Sequence, residues 1–424
     1  MTAVPTPTPT PTPSPTSAAG VLVRCAELDH LSATPDHLER LYLTDEHAAA
    51  NRLTAGWLQA AGLTSWQDAA GNQWGRREGR SPGLPALVLG SHLDTVPDAG
   101  SYDGMLGVVL AIAVAERLRD ADLPFALEVA GFSDEEGARF GKALLGSSAA
   151  AGSWDPAWED LRDAAGVTLR EALRDFGLDA ARIGEAARRP AELVGYLEAH
   201  IEQGPRLEAA DRSLGYVTTI AGARRFRLSV LGEARHAGGT PYPRRRDALV
   251  GASEAVVAVE RLARAGDCLA TVGRIEVRPG AVNVIPGRAD LTLDLRAATD
   301  EERDALWTAL HSEITAICDR RGLGLEVVET HRAAAAHCAP WLQDAVIAGI
   351  GATDDRGADE PMGLWSPAGH DAMAIAAVTD VGMLFLRCAD GISHSPDEDV
   401  REVDVARALD ALEAAVLRVA EARG

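Results

Sequence analysis

Two hydrophobic periods divide the chain. Short apolar runs at residues 86–90 (ALVLG) and 125–132 (FALEVAGF) each stop in a polar cluster, at residues 92–103 and 134–137. Between them, residues 104–119 read as an apolar helix. Runs apolar on both faces, alternating with helices, predict an α/β layer around a mainly parallel sheet. Ligands of such sheets bind beyond the carboxyl ends of the strands, where these polar clusters fall.

From residue 214 to about 329 the pattern changes to strand, helix, strand, strand, helix, strand. The elements are residues 225–232, 246–265, 269–277, 288–296, 300–321 and 323–329. This predicts an inserted α+β domain of split βαβ, ferredoxin-like type. Leu291, Leu293 and Leu295 alternate with Thr292, Asp294 and Arg296, giving one apolar and one polar sheet face. The chain then returns to α/β character and closes with a helix in which Val405, Leu409, Leu412, Val416 and Val419 recur every three to four residues. The expected domains are residues 20–213 with 331–424, and an insert at 214–330. Residues 1–19 carry proline at every second position from Pro5 to Pro15, a composition that buries no core and predicts a disordered tail.

Composition narrows the function classes. The 424 residues hold 41 Lys and Arg against 63 Asp and Glu, a formal charge of −22 that disfavours nucleic acid and anionic membrane surfaces as partners. No apolar stretch reaches the roughly 18 residues of a spanning helix. Five scattered cysteines without a CxxC pair read as free thiols of a reducing compartment, and with no basic start followed by an apolar block the expected location is the cytoplasm.

The polar clusters hold the candidate chemistry. His92 and Asp94, two apart in an extended segment, suit a metal ligand and the carboxylate that orients it. Asp103, ahead of a glycine and the apolar helix, reads alone as a helix cap. Glu135 and Glu136 are adjacent like charges that a cation would reconcile, leaving Glu135 to take a proton from water. His200, Glu202 and Gln203 (HIEQG) and His394 (GISHSPDE) end two further segments. Together these nitrogen and oxygen donors, without thiolate, suit a hydrolytic zinc, manganese, cobalt or nickel site.

The segments GSHLDTVPDAGSYDGMLGV, FSDEEGARFG, HIEQGP, HAGGTPYPRRRDAL, VRPGAVNVIPG, LDLR, GHDAM and GISHSPDE occur in this order. From about Arg40 to Glu402 the chain thereby resembles the carbamoylase and allantoate-amidohydrolase group of dinuclear-metal amidohydrolases, within the wider clan of aminoacylase and carboxypeptidase-type metallopeptidases. The resemblance implies a metallopeptidase-like catalytic domain with a lid and dimerisation domain. It implies two divalent metal ions bridged by Asp103, one completed by His92 and His200 and the other by Glu136 and His394. It makes Glu135 the general base and Asp94 the carboxylate behind His92. Arg296 and Asn283 would bind a substrate carboxylate, Gln203 and His370 would contact substrate, and His236 would reach the partner subunit's active site in a homodimer. The implied reaction is hydrolysis of a ureido or N-carbamoyl carboxylate, with allantoate, a purine-catabolic ureide, ahead of N-carbamoyl-L-amino acids. Dipeptide or N-acyl-amino-acid hydrolysis, and a non-catalytic metal-binding relative, are the alternatives. The pocket rim departs from the group's pattern at Arg235, Gly239, Tyr242 and Ser366-Pro367-Ala368.

Overall fold

The computed structural model describes residues 13–266, 268–353 and 360–424. Residues 1–12 of the expected tail lie outside the described residues. The rest of that segment departs from the expectation: Ser17 accepts from the Gly20 N–H and caps a helix, Ala18–Asp29, and Arg117 Nε donates to the Thr16 carbonyl at 2.9 Å.

The chain divides into two compact units, Met1–Thr218 with Cys338–Leu364 and His370–Gly424, and Thr219–His337 with Trp365–Gly369. In the first unit, four parallel strands form the centre of a sheet in the order Ala126–Phe132, Ala86–His92, Leu193–Ile201, Val381–Leu386. Antiparallel strands extend it on both sides, Gln73–Arg77 and Thr64–Gln67 beyond the first, Leu214–Ile220 beyond the last. The strands Ala86–His92 and Ala126–Phe132 are buried along their whole length, as their continuous apolar runs require.

The helix Met105–Arg117 follows the His92 strand and buries every residue from Met105 to Ala115. Gly107 lets it lie close to the sheet, because a Cβ there would stand 2.1 Å from the Ala199 carbonyl oxygen. The closing helix, Glu402–Arg423, buries Val405, Leu409, Leu412, Val416 and Val419 in the same core.

In the second unit the strands Gly222–Leu231, Ile275–Arg278, Arg288–Ala297 and Gly324–Ala333 are all antiparallel, in the spatial order fourth, first, third, second. The helices Ala248–Ala265 and Asp300–Arg321 share one core with Phe226, Leu228, Val230, Leu291, Leu293 and Leu295. The expected strand at 269–277 is two pieces, Leu269–Thr271 and Ile275–Arg278, both paired to Arg288–Ala297 and separated around Gly273.

The unit boundaries differ from those expected at 214 and 330. Leu214–Ile220 pairs with Val381–Leu386, and the first unit runs through it to Thr218. Gly324–Ala333 runs past residue 330, and Ala221 N–H bonds to the Ser366 carbonyl, which joins Trp365–Gly369 to the second unit.

Candidate metal centre

The ends of the four parallel strands supply the candidate donors. His92 is the last residue of its strand, Glu135 and Glu136 follow Phe132, His200 stands one residue before the end of its strand, and His394 lies in the loop after Leu386. Asp103 lies in the turn between the His92 strand and the apolar helix. The helix cap is Gly104, without a side-chain cap bond, so the Asp103 carboxylate is not spent on capping. Gly104 has φ 75°, and a Cβ there would stand 2.3 Å from the His92 ring. Only glycine fits between the two donors at this turn.

Asp103 Oδ1 lies 3.1 Å from His200 Nε2 and 3.6 Å from His92 Nε2, while Oδ2 lies 3.2 Å from His394 Nε2. His394 Nε2 is also 3.3 Å from Glu136 Oε1. Two donor groups result, His92–Asp103–His200 and Asp103–Glu136–His394, each with its ligating atoms within 4.8 Å of one another, and Asp103 belongs to both.

The ring orientations suit a cation. His92 Nδ1 donates to the Asp94 carbonyl and His200 Nδ1 to the Ile201 carbonyl, each at 3.0 Å, which turns both Nε2 lone pairs inward. Asp103 Oδ1 and His200 Nε2 are buried, yet neither has a hydrogen-bond partner among the described residues, and two lone-pair atoms facing each other are reconciled by a positive centre.

The charges point the same way. Burial opposes ionisation of Asp103, but the imidazoles of His200, His394 and His92 standing against it prevail and hold its carboxyl well below the usual range. Hydrogen bonds to Asp103 and Glu136 raise His394 to about 10. Burial drives Glu135 well above a normal carboxyl, opposed by His92 and reinforced by Glu136 and Asp371. A pocket this acidic holds its protons until other positive charge enters.

Asp94 makes contacts through both its carboxylate and its carbonyl. Its carboxylate accepts the backbone N–H groups of Glu135 at 3.0 Å and Glu136 at 3.2 Å, while Oδ1 stands 3.7 Å from His92 Nδ1. Its carbonyl orients His92, because that oxygen lies nearer the ring nitrogen, and its carboxylate fixes the turn that presents the two glutamates. Asp134 in that turn is left-handed, with φ 57°.

Gln203 Nε2 donates to Asp103 Oδ2 at 2.8 Å and to Ser393 Oγ at 3.1 Å. His370 is buried and stands edge-on to His200, with ring centroids 4.5 Å apart. Burial and then the His200 charge hold it well below a normal histidine, hence neutral.

In the second unit, the ribbon Arg235–His236 pairs with Val284–Ile285, and Ala237 N–H bonds to the Asn283 carbonyl, so His236 and Asn283 are neighbours. Both side chains are exposed. Arg296 Nε pairs with Asp294 on its own strand at 2.8 Å and Nη1 donates to the Pro367 carbonyl at 2.8 Å.

Sequence reasoning missed Glu398. It is buried, accepts the N–H groups of Tyr102 at 2.7 Å and Asp103 at 3.0 Å, and bonds to Ser393 Oγ at 2.8 Å. It therefore joins the Asp103 turn to the His394 loop. The only hint in the sequence was its place in GISHSPDE, where a lone carboxylate after a proline reads as loop polarity.

Residues 88–418 match the model of peptidase family M20/M25/M40. The chain is 38% identical over 417 residues to allantoate deiminase of Arabidopsis thaliana, covering 91% of this chain and 79% of the relative. It is 37% identical over 406 residues to N-carbamoyl-L-amino acid amidohydrolase of Geobacillus stearothermophilus, covering 94% and 97%. The crystal structure of an amidase of the hydantoinase/carbamoylase family from Burkholderia multivorans superposes with a TM-score of 0.87 at 33% identity, over 95% of this chain and 98% of that one.

Proposed function

The chain belongs to peptidase family M20/M25/M40, and from that premise we propose that it is a metal-dependent amidohydrolase cleaving the C–N bond of a ureido or N-carbamoyl carboxylate. The observation that carries this reading is the Asp103 carboxylate set between His92 and His200 on one side and Glu136 and His394 on the other, with Glu135 beside them. The names of the relatives, allantoate deiminase and N-carbamoyl-L-amino acid amidohydrolase, support the linear-amide class.

The five side chains His92, Asp103, Glu136, His200 and His394 are assigned to two divalent cations, zinc or alternatively manganese, cobalt or nickel. Held there, the cations supply Lewis acidity toward the scissile carbonyl and acidify water. Glu135 accepts a proton from the attacking water and delivers it to the leaving nitrogen. The water oxygen bonds to the ureido carbon, the C–N bond breaks, and the products are ammonia and a carbamate that loses carbon dioxide. Asp94 keeps Glu135 in place through its backbone N–H.

Arg296 and Asn283 are assigned to the substrate carboxylate, for which a guanidinium offers two parallel donors. Gln203 and His370 are assigned to further substrate contacts, His370 as a neutral ring beside His200. His236 is assigned to the oxyanion of the partner subunit's site in a homodimer formed through the second unit, a role its exposure permits. Five buried, widely spaced cysteines support a reducing, cytoplasmic setting, and among the described residues no helix is long and apolar enough to cross a membrane.

The test is ammonia release by zinc- or manganese-loaded protein from allantoate and from a panel of N-carbamoyl-L-amino acids, with dipeptides and N-acyl amino acids alongside. Release from a ureide is expected. Cleavage of the dipeptides or N-acyl amino acids alone would move the assignment to the peptidase side of the clan.

A further inference from the structure

A carboxylate that the reaction above does not use lies beside the proposed ligands. Glu198 is fully buried in the strand Leu193–Ile201, two residues before His200 and on the same face. Its Oε1 accepts from Ser91 Oγ at 2.8 Å and its Oε2 from the Ala372 N–H at 3.1 Å. Ser91 immediately precedes His92 on the adjacent strand, and Ala372 lies two residues after His370, in the helix Asp371–Ile375. One carboxylate thus ties together the three segments that carry His92, His200 and His370. Ligating atoms of Glu198, His200 and His370 lie within 4.8 Å of one another.

We propose that Glu198 is a positioning residue of the metal centre, a buried brace that holds the His92, His200 and His370 segments in mutual register. The inference deepens the proposed function and rests on its assignment of His92 and His200 to a metal. A buried carboxylate is costly unless donors satisfy it, and here each oxygen takes a donor from a different segment. Removing it orphans the Ser91 hydroxyl and the Ala372 N–H and frees the three segments to shift separately. A metal site is sensitive to such shifts, since residues that orient ligands typically change metal affinity or activity by 10- to 100-fold. Bracing requires a hydrogen bond at each oxygen's position, of either direction toward the Ser91 hydroxyl, and no charge. An amide meets this requirement, accepting from Ala372 N–H through its oxygen and donating to Ser91 Oγ through its nitrogen.

The experiment compares the full-length wild type with Glu198→Ala, Glu198→Gln and Ser91→Ala. Zinc affinity is read by competition with a chromogenic chelator, and kcat and KM are measured on the best ureide. For Glu198→Ala, the zinc concentration at half-loading is expected to rise at least tenfold and kcat to fall with it. Glu198→Gln is expected to restore both to within about threefold of wild type. Ser91→Ala, which loses one of the two ties and keeps the core packing, is expected to weaken zinc by a smaller factor, and it carries the test if Glu198→Ala does not fold. The brace is overturned if Glu198→Gln falls as far as Glu198→Ala, which would make the residue's charge, and so ligation, the operative feature. It is also overturned if neither Glu198→Ala nor Ser91→Ala moves zinc affinity. A wild type that binds zinc but hydrolyses no ureide removes the functional reading alone, because the zinc comparison still decides the brace.

Discussion

At the scale of single residues, neighbours two or fewer positions apart divide the chemistry. Glu135 and Glu136 share one turn, yet Glu136 faces His394 at 3.3 Å while Glu135 sits in the buried acid environment beside His92. Glu135→Gln removes the proton acceptor and keeps the shape. Zinc content per chain is expected to stay unchanged, with kcat falling about 10²- to 10⁴-fold. A matching loss of zinc would make Glu135 a ligand instead. His47 shows the same selectivity away from the site. Its Nδ1 accepts the Leu43 N–H at 3.1 Å, so its proton is on Nε2, facing Ser133 Oγ at 3.1 Å, and its ring stacks on Phe176. Burial, then the Arg40 charge, pushes it down to about 3. The unfolded chain takes up a second imidazole proton near pH 6.5 and the folded chain does not until about 3. Stability from this group is therefore full above about pH 6.5 and is lost as pH falls toward 3. Denaturant titrations between pH 6.5 and 5 should show wild-type stability falling more steeply than that of His47→Gln, by up to about 1.4 kcal/mol per pH unit.

At the scale of elements, periodicity made the second unit the more legible half. The alternation Leu291, Leu293, Leu295 against Thr292, Asp294, Arg296 reappears as buried and more exposed positions on one strand. Leu293→Ala should therefore cost about 2 to 5 kcal/mol and lower the thermal midpoint of the second unit. Thr292→Ala, one residue away on the other face, should stay within about 0.5 kcal/mol. Equal effects would mean that the strand register is wrong. The core helix at residues 104–119 and the two central strands were legible because their apolar runs have no competing reading. The stretch between Phe140 and Ala186 was not, because it packs short helices and turns around Tyr42, Leu145, Leu169, Leu173 and Ile183, a cluster with no sustained period. The break near Gly273 escaped notice because one strand and two short strands on the same partner have nearly the same alternation. Sheet order leaves no trace in local pattern. The candidate donors could nonetheless be gathered as a set, because four of the five follow or end strands, and parallel strands put their carboxyl ends on one side. Glu198 and Glu398 were not readable, since a single acid in an apolar run or a proline loop has many roles and only its donors reveal which one it has.

At the scale of the whole molecule, the spacing of the donors links the metal to stability. His92 and His394 are 302 residues apart in the chain, and the five assigned side chains come from four strand ends and one turn. No unfolded chain presents them together, so a cation bound at this centre binds the native state almost exclusively. Such binding stabilises by RT ln(1 + [L]/Kd), about 2.7 kcal/mol for each site at a free concentration a hundredfold above its Kd. The acid-rich pocket adds to this, since carboxylates such as Glu135 lie well above their ordinary range without other positive charge. Dialysis against a chelator should therefore lower the thermal midpoint by several degrees, and zinc should restore it with a concentration dependence that saturates at two ions per chain. His394→Ala should keep the first step of that titration and lose most of the second, because His92 and His200 remain for one ion while Glu136 is left without its nitrogen partner. His200→Ala should do the reverse. A melting temperature indifferent to chelator and zinc, in a protein that is still folded, would mean that these donors meet for some purpose other than holding cations.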